Sequence, residues 1–377
     1  SQGLDVIRIG LASTDMLYFA AGKLNLPGAM FTASHNPAKY NGIKLCLSGA
    51  RPIGKESGLQ IIEKFVREGV PVSMRSMGKE SQREMLQEYV DHLLNLVDLS
   101  SIRKLKIVID AGNGMAGHTA PAVFQRIKAD VTEMYFELDG TFPNHEANPI
   151  DEENLADLKQ MVKKQKADIG LAFDGDADRC FLVDEKGNAV NPSLLTALIA
   201  DRELAKRPNA SIIYNLISSR AVKEIVEENG GKALRSRVGH SFIKAMMAES
   251  GAIFGGEHSG HFYFADFWRA DSGMLAALYA LSELSESSKT LSELLKPFNR
   301  YVASGEINTT VKDIQSRLQA IRDNYSSGYG IDELDGITVT GKDFWFNVRA
   351  SNTEPLLRLN VEGDTKAIME KARDAAL

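Results

Sequence analysis

The sequence predicts an α/β protein: a row of strand–helix units followed by a small α+β unit at the C-terminal end. Three observations carry this. Short apolar runs alternate with amphipathic stretches over most of the chain, the pattern of strands linked by helices. From about Tyr301 the pattern changes to four strand-like runs with two helices. The length, 377 residues, suits about two to four domains of ordinary size.

The elements follow in order. A helix is expected at 13–23, with Ser13 or Thr14 as cap and Met16, Leu17, Phe19, Ala20 and Leu24 on its apolar side. Strands are expected at 28–33 and 42–47, with a helix at 56–68. That is too little for a free-standing α/β domain, so the first unit is expected to lack its N-terminal part. Residues 78–83 read as a polar link. Next come helix 83–97, strand 105–109, helix 116–127, strand 131–136, helix 155–165, and strands 169–173 and 180–183. This alternation predicts a parallel, doubly wound sheet. A turn at 184–188 separates the next unit: helix 193–205, strand 211–215, helix 219–228, strand 233–235, helix 242–250, short strands at 253–254 and 262–264, and helices 275–283 and 291–298. The closing unit has strands at 304–311, 337–340, 344–349 and 356–361, with helices 314–323 and 366–376.

Composition narrows the class. Hydrophobic residues make up 44% and charged ones 25%, an ordinary globular balance with enough apolar material for a full core. No apolar run approaches the roughly 18 residues that cross a bilayer; Leu194–Ala200 and Met274–Leu281 read as buried helix. The net charge of −6 argues against a nucleic-acid partner. An anionic ligand would need a local cluster of positive charge. Cys46 and Cys180 are two isolated cysteines, neither a disulfide framework nor a zinc pattern. With no secretory signal at the start, a reducing cytoplasm is expected.

Four loops carry chemistry. Ser34, in Thr32-Ala33-Ser34-His35-Asn36-Pro37, follows a strand and is suited to be a nucleophile or phosphoryl carrier. His35 and Lys44 are suited to move protons or neutralise phosphate. No Gly-x-Ser-x-Gly elbow surrounds Ser34, which argues against a hydrolase triad. In Asp174-Gly175-Asp176-Ala177-Asp178-Arg179, three carboxylates at alternate positions repel one another unless a cation is bound. Hard oxygen donors suit Mg²⁺ or Ca²⁺. An EF-hand would need Gly where Arg179 stands, and helices where strands are expected. In Gly255-Gly256-Glu257-His258-Ser259-Gly260-His261, Glu257 and Ser259 suit vicinal sugar hydroxyls and His261 an acid–base role. In Arg349-Ala350-Ser351-Asn352-Thr353, an arginine fork and successive hydroxyl and amide donors suit phosphate oxygens. Each loop taken singly is also ordinary turn chemistry. A fifth feature, Gly112-Asn113-Gly114-Met115-Ala116-Gly117 after a strand, matches a dinucleotide fingerprint, with Glu133 near the ribose position. Nothing else resembles a hydride-transfer site, so the glycines read as a tight strand-to-helix turn.

Together, in this order and spacing, the four loops resemble the α-D-phosphohexomutase superfamily, and the resemblance covers the whole chain. It implies three related α/β domains, the first N-terminally incomplete here, plus a small C-terminal α+β domain, all around a central cleft. The expected division is 1–80, 81–188, 189–299 and 300–377. These would carry the phosphoserine, metal, sugar and phosphate loops in turn.

The resemblance further implies a phosphoserine at Ser34, with Ser34, Asp174, Asp176 and Asp178 holding Mg²⁺ and Arg179 beside the phosphate. It makes His35, Lys44, His240 and His261 candidates for proton transfer and charge neutralisation. Glu257 and Ser259 would grip sugar hydroxyls; Arg349, Ser351, Asn352 and Thr353 would hold the substrate's own phosphate. The implied activity is a phosphomannomutase-type exchange of phosphate between O1 and O6 of a hexose, mannose and possibly glucose. It would run through a 1,6-bisphosphate, which also serves as activator. The expected protein is a monomer or homodimer acting on a phosphohexose, with no nucleic-acid or membrane partner. The alternatives are a phosphoglucosamine mutase, a non-catalytic phosphosugar-binding protein and, from the glycine turn, a nicotinamide oxidoreductase. Two departures stand out. The family's N-terminal cleft arginine is not in this chain, and Ile217 stands where some members carry a lysine, near Arg220 and Arg235.

Overall fold

Ser13 caps the first long helix, Thr14–Leu24, by accepting a hydrogen bond from the Met16 amide, and Asn25 ends it in the left-handed conformation. The helix buries Met16, Leu17, Phe19 and Ala20, and Phe19 meets Tyr89 of helix Leu86–Leu96 edge to face at 5.9 Å. In this computed structural model, residues 2–71, 75–100, 102–351 and 356–377 are described. Strands Gly28–Phe31, Ile43–Leu47 and Arg51–Pro52 form a small antiparallel sheet beside that helix. The segment expected to be a polar link instead supplies strand Glu80–Gln82, which pairs in parallel with Val6–Arg8. Both strands are three exposed residues long, so no hydrophobic period announces them.

The second unit has strand order Ala189–Val190, Cys180–Asp184, Ile169–Phe173, Leu105–Asp110, Ala129–Met134. The last three are parallel, as expected. Cys180–Asp184 runs antiparallel to Ile169–Phe173, against the expectation of a parallel sheet. The reason is the connection: Asp174–Arg179 is too short for a crossover, which takes a dozen or more residues. The three-carboxylate loop is therefore the tip of a hairpin between two fully buried strands.

The third unit repeats the theme. Lys232–Ser236, Ser211–Asn215 and Phe254–Gly256 are parallel; Phe262–Phe264 and Ala270–Asp271 continue antiparallel. Helices Pro192–Lys206 and Gly273–Glu286 cover the sheet and bury the apolar runs 194–200 and 274–281 almost entirely. One hydrophobic core runs through all three units.

The last unit has its own core, with Phe346, Val348, Leu359 and Val361 packed under helix Lys366–Ala376. Its five strands are antiparallel. It meets the third unit through polar contacts. Arg220 pairs with Glu362 and Asp364, and Arg235 donates to Thr338 at 2.9 Å. No helix among the described residues is long and apolar enough to cross a membrane.

Candidate active site

The two loops that hold Ser34 and the three aspartates are built against each other. Ser34 has φ +54, a left-handed conformation that strains a non-glycine residue. Its amide donates to Thr32 Oγ1 at 2.8 Å, which fixes the turn. Its hydroxyl lies 3.2 Å from Asp174 Oδ2 and 3.3 Å from His35 Nδ1. Ala177 bends the aspartate loop with φ +58, and the Thr14 amide at the helix start donates to the Asp176 carbonyl at 2.9 Å.

The carboxylates are wholly buried and face cations. Arg179 Nε donates to Asp174 Oδ2 at 2.8 Å. Lys44 Nζ lies 2.8 Å from Asp176 Oδ2 and also bonds Asp178. Thr14 and Thr32 donate to Asp176 Oδ2 at 2.7 and 3.0 Å. Burial pushes Asp174 up to about 6 against the pull of Arg179. Burial also works on Asp178, but the charges of Lys44 and His261 hold it well below the usual carboxylate range. Burial alone would lower Lys44; Asp178 and Asp176 outweigh it and keep the ammonium charged.

A hard divalent cation fits this donor set. One oxygen of each aspartate lies within 4.8 Å of the others, and Asp176 Oδ1 and Asp178 Oδ1 are buried with no hydrogen-bond partner among the described residues.

The sugar loop is seated on the aspartate loop by backbone. Cys180 N donates to the Gly260 carbonyl at 3.2 Å, and Arg179 bridges His261. His261 Nε2 is 3.5 Å from Asp178 Oδ1, and its Nδ1 meets Ser259 Oγ at 3.0 Å. Burial lowers the His261 pKa, but Asp178 and Asp271 raise it further, and the net shift is upward. Glu257 is buried, receiving Tyr263 Oη, Asn215 Nδ2 and the Gly239 amide. His35 is pushed down to about 4 by burial and then by Arg179 and His261, so its imidazole is neutral near pH 7. His240 opens helix His240–Ser250 at the cleft; desolvation and then the Lys244 charge lower its pKa.

In the last unit Arg349 is buried and donates to Glu306 at 3.1 Å. Ser351 accepts from Arg358 at 3.5 Å. Asn352 and Thr353, also expected at the phosphate loop, lie outside the described residues.

Several polar residues of this neighbourhood escaped the sequence reading. Lys244 and Asp271 form a buried ion pair at 2.6 Å, with Lys244 Nζ 3.8 Å from the centre of the Tyr18 ring. Thr14 and Thr32 tie down Asp176, and Glu306 pairs with Arg349 and Arg358 of the last unit. A motif search has no signal for them; each is a lone polar residue in an ordinary strand, loop or helix. The glycine turn has its own task. Met115 N donates to the Gly175 carbonyl at 2.9 Å, and a Cβ on Gly114 would stand 2.6 Å from that oxygen. The turn is a close-packed buttress behind the aspartate loop.

Known proteins agree with this layout. Family models for phosphoglucomutase/phosphomannomutase match in sequence: α/β/α domain I at residues 1–70, domain II at 87–187, domain III at 191–301 and the C-terminal domain at 306–377. A phosphomannomutase of Escherichia coli K12 is 38% identical over 385 residues, spanning 100% of this chain and 84% of that protein. One from Methanocaldococcus jannaschii is 39% identical over 371 residues, covering 97% and 82%. The crystal structure of a phosphoglucomutase/phosphomannomutase family protein from Burkholderia thailandensis superposes with a TM-score of 0.89 at 32% identity, covering 99% of this chain and 82% of that one. With all four domain models matched in order and relatives this similar over their length, the chain belongs to the phosphoglucomutase/phosphomannomutase family and is an enzyme of the phosphohexomutase type.

Proposed function

We propose that this enzyme interconverts hexose 6-phosphate and hexose 1-phosphate, with mannose as the sugar and glucose as the candidate second one, by way of a phosphoserine at Ser34 and a hexose 1,6-bisphosphate. The observation that carries this is the Ser34 hydroxyl, 3.2 Å from Asp174 Oδ2 and flanked by His35, Arg179 and Lys44 in one cleft wall.

In the forward step the bond from phosphorus to Ser34 Oγ breaks, and a bond forms to the free hydroxyl of the bound sugar phosphate. That hydroxyl must lose its proton. His35, neutral near pH 7 and with Nδ1 3.3 Å from Ser34 Oγ, is suited to accept it and to return a proton to the departing Ser34 oxygen. Lys44 and Arg179 stay charged and offset the negative charge of the moving phosphoryl group. Ser34, Asp174, Asp176 and Asp178 would hold Mg²⁺, which when bound supplies further charge neutralisation at the phosphoryl oxygens. The bisphosphate then turns over in the cleft and returns its other phosphoryl group to Ser34. Arg349, with Ser351, Asn352 and Thr353, grips the phosphate that is not reacting. Glu257 and Ser259 take sugar hydroxyls that mannose and glucose share, so the epimeric centre at C2 is weakly discriminated. His240 and His261 line the same cleft and serve orientation and proton balance.

The domain division 1–80, 81–188, 189–299 and 300–377 is the proposed map of these tasks. Two free, buried cysteines suit a reducing cytoplasm.

The test is a coupled assay with Mg²⁺ and a trace of hexose 1,6-bisphosphate. It compares kcat/KM for mannose 1-phosphate, glucose 1-phosphate and glucosamine 1-phosphate. Turnover of the first, alone or with the second, is expected. Preference for the amino sugar would replace this reading with a phosphoglucosamine mutase.

A further inference from the structure

Arg349 and Arg358 sit directly opposite each other on adjacent strands, Phe344–Ala350 and Leu356–Gly363, so their side chains share one sheet face. Two like charges in that position repel. The Glu306 carboxylate bridges them: its Oε2 accepts from Arg349 Nη2 and its Oε1 from Arg358 Nη1, each at 3.1 Å.

Glu306 reaches this face through a break in the strand. Along Val302–Thr310 the register shifts by one residue between Ala303 and Glu306, at Gly305, whose φ is +71. Ala303 faces Glu362, yet Glu306 faces Asn360, where an unbroken ladder would put residue 305. Without the bulge Glu306 would stand opposite Leu359 and point into the hydrophobic core. The bulge therefore places a negative charge on the arginine face. The carboxylate does not use up the arginines. The Nε atoms of both are buried with no acceptor among the described residues. From the sugar loop, His258 lies within electrostatic reach of both Glu306 and Arg349.

We propose that Glu306 is a resident anion of the phosphate clamp. With no ligand bound it holds the two guanidiniums apart and in place; with phosphate bound it cancels part of their charge, so the grip stays weak enough to release. A mutase needs that release, because one clamp must let go of one end of the bisphosphate and take the other. The inference rests on the reading of Arg349 as a phosphate ligand.

Linkage sets the sign of the effect. Removing the carboxylate leaves facing cations that destabilise the free protein, and an arriving phosphate relieves them. Titration of the full chain with inorganic phosphate tests this. Glu306→Gln is expected to bind phosphate roughly tenfold more tightly than wild type. It should melt at a lower temperature without phosphate and show a larger upward shift with it, and turnover should fall in both KM and kcat. Glu306→Asp, which keeps the charge, should stay near wild type and guards against a folding defect in the first variant. Arg349→Met should lose the phosphate site. Unchanged or weaker phosphate binding in Glu306→Gln, with Arg349→Met still losing the site, overturns the resident anion and leaves the clamp intact. Wild-type phosphate binding in Arg349→Met overturns the clamp reading, and the resident anion with it.

Discussion

Gly175 packs so closely on Ser34 that a Cβ added to it would stand 2.3 Å from the Ser34 carbonyl oxygen. The aspartate loop thus fixes the serine by contact as well as by hydrogen bond. Gly175→Ala must push Ser34 away from Asp174. The expected result is a fall in kcat of about a hundredfold, the usual cost of a displacement near 1 Å. Steady-state kinetics checks it, and an unchanged kcat would mean that the serine position is not critical.

Ser34→Ala should abolish turnover, a loss of at least about a thousandfold, while phosphosugar binding changes little. Intact mass adds a second readout. Wild type incubated with hexose 1,6-bisphosphate should gain one phosphate, and the variant none. A phosphate gained by the variant would put the carrier elsewhere.

Asp176 accepts from Thr14, Thr32 and Lys44 through one oxygen, and the other has no hydrogen-bond partner among the described residues. Asp176→Asn keeps the shape and removes the charge. Its activity should collapse and not recover at high Mg²⁺, whereas wild type stripped by a chelator should recover on adding Mg²⁺ back. Equal rates with and without chelator would refute a metal at this loop.

His145 Nε2 lies 3.0 Å from the buried Asp110, and its Nδ1 faces the Glu146 carbonyl. Tyr135 meets the ring edge on, and Asp157 adds negative charge nearby. Burial lowers the His145 pKa, but Asp110 more than offsets it, so the folded value lies above the unfolded one. A raised histidine contributes stability that is fully present below about pH 6.5 and is lost as pH rises through the folded value. Wild type should therefore lose melting temperature over that window relative to His145→Gln. Parallel pH profiles for the two proteins would count against this pair.

The first three loops stood out in the sequence because each clusters polar and charged residues beside a strand-like run, and the structure brings Ser34, the three aspartates and His261 together. Asp174, Asp176 and Asp178 stand out because three carboxylates this close in sequence repel one another, and the structure does bring them together as a buried cluster. Lys244 and Asp271 carry no such signal. In sequence each is a single charge, and only tertiary packing brings them to 2.6 Å. Glu306 was hidden for a different reason. Strict alternation of faces along its strand gives the wrong side, because the extra residue at Gly305 reverses the count. The pairing of Val6–Arg8 with Glu80–Gln82 failed to show because exposed three-residue strands have no period. The direction of Cys180–Asp184 could have been read from the shortness of the preceding loop.

Beneath these side-chain contacts, main-chain hydrogen bonds tie the frame of the cleft together: Thr14 N to the Asp176 carbonyl, Met115 N to the Gly175 carbonyl, Cys180 N to the Gly260 carbonyl. Such contacts do not depend on which side chain a position carries. The side chains at the rim are therefore free to diverge while the frame beneath them stays in register. Single substitutions in the loop 255–261 can therefore change what the rim presents without renegotiating the main-chain frame beneath it.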